Sequence, residues 1–575
     1  MIRITRPMLP AFAAVALSAC ATQSASNSSH TAYTPIPVPS IERPAGETAD
    51  WWFRHGAAAA ARASHRARAD NGHARNVIVF LGDGMSITTI AAAHILAGQR
   101  KGLDGESYRL SFEKFPFTAL SRTYETDHQV ADSAGTMTAI MTGAKTKMGF
   151  IGVGQDAERG NCASRQGHVL VTMLELAKAA GLSAGVVTTT RITHATPAAT
   201  YGHLPERGWE VDSEMPGKAL AAGCTDFAAQ LVDFPIGGGI DVAMGGGRTE
   251  FLPAGMRDPE YPQLHGRRDD GRDLIVEWKR KNPDGAYVWN ADQLAALNLA
   301  QTTKLLGLFE PSHMHYDHDR PQDKAGEPGL AQMTRAALKV LEKNPEGFFL
   351  LVEGGRIDHA LHAGNAFRAL DDTIAFAKAV QVALDMTRAE DTLIVVTADH
   401  SHTLVFRGYP ARGNSILGLV RDADGERATD ALGLPYTTLA FGSGPGYTGA
   451  TDAQPEGPKH FPHHYDQAYG IHHGQPDLTH VDTADPNYLQ AATIPKHGET
   501  HGGEDVAVFA HGAGAAAFHG EIEENTIFHL IVQQVPALRK ELCRLGSCNA
   551  DGVPVHRPSY KKLTQIEQSI HDEVR

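Results

Sequence analysis

Short apolar runs alternate with stretches of helical periodicity from Asn76 to about Thr403. The clearest runs are Val77–Leu81, Phe348–Val352 and Leu393–Val396, and a carboxylate follows each of them within a few residues. Strands that alternate with helices are typical of α/β proteins with a parallel sheet. The pattern therefore predicts an α/β fold with a large, mostly parallel central sheet and helices on both faces.

The same pattern divides the chain. We interpret residues 48–404 and 497–548 as the α/β domain, which begins with a helix near Thr48–His65. Residues 405–496 are rich in Gly, Pro and His and are interpreted as an inserted, loop-rich subdomain, and residues 549–575 as a polar C-terminal tail. The histidine cluster His460-Phe-Pro-His-His-Tyr in the insert suits a metal site or a solvated loop, and we favour the loop.

Residues 1–20 are typical of a targeting segment. Arg3 and Arg6 precede an apolar stretch that is too short to span a bilayer. Leu17-Ser-Ala-Cys20 resembles a bacterial lipoprotein signal, in which the cysteine is lipidated; the alternative is an ordinary cleaved secretory signal. Residues 21–47 then form a Ser/Thr/Pro-rich tether. We expect an exported protein, a periplasmic or cell-surface lipoprotein of the outer membrane, held there by its N-terminal lipid.

Four further cysteines fit an exported chain with two disulfides. Cys543 and Cys548 would close a small C-terminal loop, which leaves Cys162 to pair with Cys224. A zinc knuckle is the competing interpretation of the close pair, but no second Cys/His pair lies at the right spacing.

The chain is acidic, with 52 basic and 66 acidic residues and a net charge of −14. This balance, without a basic stripe, argues against nucleic acid as a partner. An acidic chain that binds a phosphate needs local positive charge, and metal ions can supply it.

Metal-ligand residues follow the apolar runs or lie in glycine-rich loops. They are Asp83, Thr196, Glu353, Asp358, His362, Asp399, His400 and His501. Carboxylates and imidazoles at strand ends suit metal ions held in the crevice beyond the carboxyl edge of a parallel sheet. Asp132-Ser133-Ala-Gly-Thr supplies a serine nucleophile, for which the structural alternative is a helix cap.

Residue types suggest three ligand sets. Asp358, His362 and His501 make a nitrogen/oxygen site suited to zinc with an open position for water. Asp83, Asp399 and His400 make a second zinc-type site that faces Ser133. Asp83 can bridge to an all-oxygen magnesium site with Glu353 and the Thr196 hydroxyl. Contact with a metal ion can ionise a serine, so these sets predict a metal-assisted hydrolase.

The chain resembles an alkaline phosphatase, closest in pattern to the animal type, from about Trp51 to Cys548. The matching stretches are Asp132–Thr136, Val186–Pro197, Val352–His359, Thr397–His402 and Glu499–Ala510. The resemblance implies that Ser133 forms a phosphoserine, which water activated at the Asp358/His362/His501 site hydrolyses with net retention at phosphorus. It also implies small-molecule phosphate monoesters as substrates and a homodimer. The insert is crown-like in position, but Ala450–His480 has little counterpart in the family, so the properties of the family's crown domain do not carry over.

The resemblance adds residues that spacing alone does not single out. Arg207 matches the arginine that clamps the phosphate, and its fork suits two phosphoryl oxygens. His194 and His359 match positions around the third metal, outside its direct ligands. A possible calcium site, remote from the nucleophile, would take the carboxylates of Glu260, Glu310 and Glu327 and the carbonyl of Phe309, with Asp323 as the reserve for Glu327.

Three rival functions are weighed against these residues. A sulfatase would need a Cys/Ser-x-Pro-x-Arg motif, which the Ser133 segment is not. A phosphodiesterase of the same superfamily typically lacks the third-metal ligands, yet Thr196 and Glu353 are present. A non-catalytic phosphate- or metal-binding lipoprotein would lack Ser133 or a ligand. Hydrolysis of phosphate monoesters is the favoured function, with phosphodiester hydrolysis as the alternative.

Overall fold

The computed structural model describes residues 47–67, 73–431, 433–448, 457–462 and 476–574. The predicted signal segment with Cys20, nearly all of the tether, and His463–Tyr465 of the histidine cluster lie outside the described residues. None of the described helices is long and apolar enough to cross a bilayer.

The helices and strands, with short 3-10 turns left aside, are numbered in chain order. Helices α1–α15 span Ala49–Ala67, Ile87–Gln99, Ser133–Thr142, Met173–Ala179, Ala195–Ala198, Gly217–Ala221, Phe227–Val232, Leu274–Lys281, Ala291–Ala296, Leu330–Leu341, Arg356–His362, Ala366–Met386, Thr526–Gln534, Pro536–Leu545 and Tyr560–Val574. Strands β1–β19 span Asn76–Gly82, Phe117–Arg122, Ser183–Arg191, Val242–Gly246, Ala286–Val288, Leu305–Leu308, Phe348–Gly354, Thr392–Thr397, Ser401–His402, Leu404–Phe406, Leu439–Gly444, Lys459–His460, Tyr488–Leu489, Ala492–Pro495, His501–Gly502, Val506–Gly512, Gly520–Glu523, Ser547–Cys548 and Pro554–His556.

Ten strands form the central sheet in the order β17-β2-β16-β8-β1-β7-β3-β4-β6-β5. The seven strands from β8 to β5 pair in parallel, and β16 runs antiparallel to both of its neighbours. Leu81 in β1 pairs with Glu353 in β7 and with Thr397 in β8, so the carboxyl ends of these three strands are level. The predicted mostly parallel α/β sheet is confirmed.

Helices cover both faces of this sheet, as predicted. Successive residues of a strand point to opposite faces, so Val79 and Leu81 pack into one core and Ile78 and Phe80 into the other. The first core includes apolar residues of α1, α3, α4, α13 and α14, and the second includes those of α2, α10 and α12. A strand buried on both faces explains why the runs are apolar throughout rather than alternating.

The insert contains a small three-stranded sheet, β10-β11-β14. The division into an α/β domain and a crown-like insert remains a prediction. Both expected disulfides are present, Cys162–Cys224 and Cys543–Cys548. The polar tail carries more structure than its composition suggested, because β19 and α15 lie within it. Tyr560, Leu563 and Ile566 recur at helical spacing in α15 and pack against the main core.

Candidate active site

The predicted ligands meet at the carboxyl edge of the central sheet. Asp83 follows β1, Glu353 lies near the end of β7, and Asp399 follows β8. Helices α5 and α11, which follow β3 and β7, carry Thr196 and Asp358. Level strand ends therefore bring together residues that are far apart in the chain, as expected for an open α/β sheet.

Ser133 is the first residue of α3, and the residue that caps this helix is Asp132 rather than Ser133. The Asp132 side chain caps the helix by accepting a 3.0 Å hydrogen bond from the Gly135 backbone N–H. The Ser133 hydroxyl oxygen instead lies 3.1 Å from His400 Nε2 and 3.4 Å from Asp83 Oδ1. The hydroxyl is thus held among the predicted ligands at the positive end of a helix, where negative charge is stabilised.

The Asp83, Asp399 and His400 side chains are fully buried and crowded. His400 Nε2 lies 3.3 Å from Asp83 Oδ1 and 3.4 Å from Asp399 Oδ2. Burial and the neighbouring Asp83 raise the pKa of Asp399 to about 7, and burial with Asp358 and Glu353 raises the pKa of Asp83. Oδ2 of each aspartate has no hydrogen-bond partner among the described residues. Buried, repelling and unpartnered carboxylates are what a bound cation would satisfy.

His362 and His501 aim their Nε2 atoms at one point. Their Nδ1 atoms each donate a 2.6 Å hydrogen bond to a backbone carbonyl, that of Glu499 and that of Ala131 respectively. These bonds leave a lone pair on each Nε2, and the two Nε2 atoms are 3.0 Å apart. Each lies 3.4 Å from Asp358 Oδ1. Carbonyl acceptors on the far ring nitrogen are the usual way in which proteins orient histidine metal ligands.

His402 belongs to this group and was missed by the sequence interpretation. Its Nε2 lies 2.7 Å from Asp358 Oδ1, and its Nδ1 contacts the Glu499 carboxylate. Burial alone would lower the pKa of His402, but the carboxylates of Glu499 and Asp358 raise it to about 10. The strand pair β9–β15 places it opposite His501. The second histidine of Thr397–His402 was the available signal.

Glu353 and Thr196 form the floor of the site beside Asp83. One Glu353 oxygen accepts a hydrogen bond from Thr188, and the other, like the Thr196 hydroxyl, is buried without a partner among the described residues. Burial raises the pKa of Glu353 to about 8. A nitrogen of His194 is grouped with the Asp83 and Glu353 oxygens, all within 4.8 Å of one another. His194 is therefore near enough to act on a cation held there.

Arg207 joins the nucleophile segment to His194. Its Nη1 donates to Asp132 Oδ2 at 2.8 Å, and its Nη2 lies 3.2 Å from His194 Nε2. His359 accepts from Arg356 Nη1 at 2.8 Å, and its ring centroid is 4.3 Å from that of His313. The sequence interpretation missed His313, and no pattern in its surroundings singles it out.

A cavity of about 650 Å³ opens over these groups. Its walls include Ser133, Arg207, His359, His362 and His501. The volume is that of a small-molecule site. The arrangement combines a hydroxyl nucleophile, a guanidinium that can bind two oxygens of an anion, and clustered oxygen and nitrogen ligands. Such a set can bind an anionic phosphoryl group and attack it.

The residues predicted for calcium lie together in a second group of carboxylates, which we call the remote carboxylate cluster: Glu260, Glu310, Asp323 and Glu327, with His315. Burial, with Glu327, Glu260 and Asp323, raises the pKa of Glu310 to about 9. Oxygens of Glu310, Asp323 and Glu327 lack hydrogen-bond partners among the described residues. Arg248 contacts Glu260 Oε2 and the Phe309 carbonyl, both at 3.1 Å. The sequence interpretation missed His315 and Arg248.

Comparison with known proteins gives one consistent family. A family model described as alkaline phosphatase matches residues 74–536. The alkaline phosphatase of Gadus morhua is 45% identical over 465 residues, covering 79% of this chain and 90% of that protein. The structure is similar to Thermus thermophilus alkaline phosphatase, with TM-score 0.57 and 23% identity over 87% of this chain and 96% of that one. A TAB5 alkaline phosphatase mutant with Mg bound in its M3 site has TM-score 0.52 and 21% identity over 81% and 99% of the two chains.

Proposed function

This chain belongs to the alkaline phosphatase family and hydrolyses phosphate monoesters, and we propose that it does so through a phosphoserine on Ser133. One observation carries the proposal: the Ser133 hydroxyl lies at the N-terminus of α3, 3.1 Å from His400 and 3.4 Å from Asp83, inside the cavity that Arg207 also lines. Metal coordination is a recognised means of activating a hydroxyl as a nucleophile, and the side chains that would hold the metal surround this one.

The protein's own groups account for binding and orientation. Arg207 presents its guanidinium to two phosphoryl oxygens, and the helix N-terminus adds favourable partial charge. Ser133 Oγ attacks phosphorus, the bond to the ester oxygen breaks opposite to it, and the alcohol leaves with a proton. Water then attacks phosphorus of the phosphoserine, the bond from phosphorus to Ser133 Oγ breaks, and Oγ regains a proton as inorganic phosphate leaves. Two successive in-line displacements give net retention of configuration at phosphorus.

The buried ligand sets fit divalent cations, because their oxygens and nitrogens converge without enough donors to satisfy them. Asp358, His362 and His501 would hold one zinc ion, with His402 orienting Asp358, and Asp83, Asp399 and His400 would hold a second. Asp83, Glu353 and Thr196 would hold magnesium, flanked by His194 and His359. Bound cations supply ionisation of the serine and neutralisation of charge on the phosphoryl and leaving oxygens.

We assign calcium to the remote carboxylate cluster. The unpartnered oxygens of Glu310 and Glu327, and the raised pKa of both groups through burial, support a cation there. Calcium accepts about 6–8 oxygens in loose geometry, so carboxylates with a carbonyl and water suit it. The carbonyl of Phe309 already accepts from Arg248 at 3.1 Å, so it would have to use its second lone pair.

Two disulfides indicate an oxidising compartment. We further propose that Cys20 is lipidated and anchors the protein in the outer membrane, and that the protein is a homodimer. Fractionation of cells without detergent tests the anchor: wild type should sediment with membranes, and Cys20→Ser should become soluble. Wild type found wholly in the soluble periplasm would favour an ordinary secretory signal.

A substrate panel tests the reaction itself. Purified protein should hydrolyse an aryl phosphate monoester much faster than the matching aryl sulfate or phosphodiester. Quenching at acid pH with a labelled monoester should trap phosphate on Ser133, and the peptide that carries it can be identified by mass spectrometry. Faster turnover of the diester, or label on another residue, would contradict the proposal.

A further inference from the structure

Glu125 is a buried carboxyl group beside the nucleophile segment, and no step described above uses it. It is 4% exposed, although it lies in a surface turn closed by its own backbone N–H and the His128 carbonyl at 3.0 Å. Its Oε1 accepts a 3.3 Å hydrogen bond from the Asp132 backbone N–H. Its Oε2 accepts none from any described residue. A buried carboxyl group with one weak backbone bond is costly unless another partner satisfies it.

That partner is the Asp132 carboxylate. The Asp132 backbone N–H already reaches Glu125 Oε1 at 3.3 Å, and a hydrogen bond between the two carboxyl groups requires one of them to carry a proton, because carboxylates can only accept. Asp132 keeps its charge, because Arg207 lies 2.8 Å from its Oδ2 and the N–H groups of Gly135 and Gly149 each donate to Oδ1 at 3.0 Å. Burial and the charge of Asp132 raise the pKa of Glu125 to about 11. The proton therefore belongs to Glu125.

Helix α3 makes room for this carboxyl group with a glycine. A Cβ atom at Gly135 would lie 2.0 Å from Glu125 Oε1, well inside contact distance. Gly135 occupies the first turn of a helix, where glycine is otherwise less favourable than alanine. The close approach gives a physical reason for glycine at this position, and it couples the Glu125 side chain to the turn that begins with Ser133.

We propose that Glu125 is a positioning residue for phosphate binding: as a neutral acid it donates its proton to the Asp132 carboxylate and so fixes the Asp132–Arg207 pair at the wall of the cavity. The inference rests on the proposed function, in which Arg207 binds the phosphoryl oxygens. Charged Asp132 holds one nitrogen of the guanidinium, and neutral Glu125 prevents Asp132 from turning away without adding a second negative charge near the substrate.

A cation shared by acidic groups is the competing arrangement. Atoms of Glu125, Asp127 and His128 lie within 4.8 Å of one another, but Asp127 and His128 are exposed, and Asp127 Oδ1 already accepts from the Met148 backbone N–H at 3.0 Å. The two arrangements require different charge states of Glu125. A proton donor can be replaced by a neutral amide, whereas a cation ligand needs the negative charge.

The test compares Glu125→Gln with Glu125→Ala in the full metal-loaded protein. Gln can accept from the Asp132 N–H and donate to its carboxylate; Ala can do neither. We expect Glu125→Ala to raise KM and the inhibition constant of inorganic phosphate about tenfold with kcat within about twofold, since hydrogen bonds to charged groups are among the stronger ones. Glu125→Gln should restore both constants to within about twofold of wild type. Glu175→Ala, at a buried glutamate bonded to His203 at 2.9 Å, controls for destabilisation and should leave both constants unchanged.

A double-mutant cycle with Gly135→Ala tests whether the effect on KM depends on the contact between Glu125 and the first turn of α3. In wild type the added methyl displaces the Glu125 carboxyl group, so KM should rise about as far as in Glu125→Ala. In the Glu125→Ala background the clash is gone, and Gly135→Ala should change KM little.

Equal loss in Glu125→Gln and Glu125→Ala, or a fall in melting temperature with KM unchanged in both, would overturn the inference. Arg207→Ala separates the two proposals. If it raises the phosphate inhibition constant while Glu125→Ala does not, only the role of Glu125 is wrong. If Arg207→Ala itself has no effect, the phosphate clamp is wrong and the role of Glu125 with it.

Discussion

The active-site ligands and the remote carboxylate cluster present the same electrostatic problem with different surroundings. In both, buried acids crowd together, and burial with neighbouring negative charge raises the pKa of Asp399 to about 7 and that of Glu310 to about 9. Only the first contains a nucleophilic hydroxyl, histidine nitrogens freed by carbonyl bonds on their far sides, and a cavity of about 650 Å³. A bound cation would relieve the crowding in either region, and the groups around the carboxylates decide whether such a cation could take part in a reaction.

Arginine is used differently in the two regions. Arg248 is fully buried and donates hydrogen bonds to Asp258, Glu260 and backbone carbonyls. Arg207 holds Asp132 with one nitrogen, contacts His194 with the other and lines the cavity. A guanidinium whose donors are all taken by protein stabilises structure, whereas one at a cavity wall can exchange a partner for a ligand.

Metal removal should give the largest difference between the active site and the remote carboxylate cluster. Extensive dialysis against a chelator should reduce phosphatase activity to background. The cations bound by the ligand sets around Ser133 would supply the positive charge that ionises its hydroxyl, and the chelator removes them. Zinc and magnesium should restore activity, and calcium alone should not. Elemental analysis should find about two zinc-like ions and one magnesium-like ion per chain in active protein, by the ligand sets. Active protein with one ion or none would contradict this assignment.

Replacing the nucleophile should have the next largest effect. Ser133→Ala should lower kcat by about 10³-fold or more, since loss of a nucleophile removes the covalent step. Bound zinc should change little, because Asp83, Asp399 and His400 remain. Ser111→Ala, which removes a buried hydroxyl bonded to the Ala377 carbonyl at 2.6 Å, is the matched control and should keep normal activity. Near-normal turnover in Ser133→Ala would disprove the phosphoserine route.

Replacing Arg207, the phosphate clamp, should have a smaller effect, and the effect should appear in the binding of substrate and phosphate. Arg207→Ala should raise KM and the phosphate inhibition constant by about 10- to 100-fold, as expected for charge-assisted hydrogen bonds. Arg207→Lys should recover part of this, because a lysine supplies charge without the fork. Arg272→Ala, at a half-buried arginine paired with Glu277 at 2.6 Å, should leave both constants unchanged. Effects on kcat alone would place Arg207 outside ground-state binding.

The smallest effect should appear at the remote carboxylate cluster, as stability rather than rate. Millimolar calcium should raise the melting temperature of wild type by several degrees, because an ion bound only to the folded state adds about 2.7 kcal/mol at 100 times its Kd. Glu310→Gln should remove most of this response and leave kcat nearly unchanged. An equal response to calcium in both proteins would place the ion elsewhere, and no response in wild type would leave the cluster without a calcium role.

Several parts of the site were predictable because local sequence carries them. Asp83 and Asp399 directly follow apolar runs, and such runs must become buried strands whose ends meet at one edge. Ser133 lies behind a capping acid and before small residues, which predicts a helix start. His402 was missed although it stands two residues after His400, because its importance depends on the β9–β15 pair that brings it to Asp358.

The sequence by itself determined which residues could be strands, which side chains could bind metal, and which hydroxyl could act as nucleophile, since these follow from apolar runs and side-chain chemistry. Tertiary structure alone decided which of these side chains contact one another. Glu125 meets Asp132 only because the turn folds over the start of α3 at Gly135, and Arg207 reaches the same carboxylate from 75 residues along the chain. Such contacts depend on packing geometry at the ångström scale, which no local pattern of residues encodes.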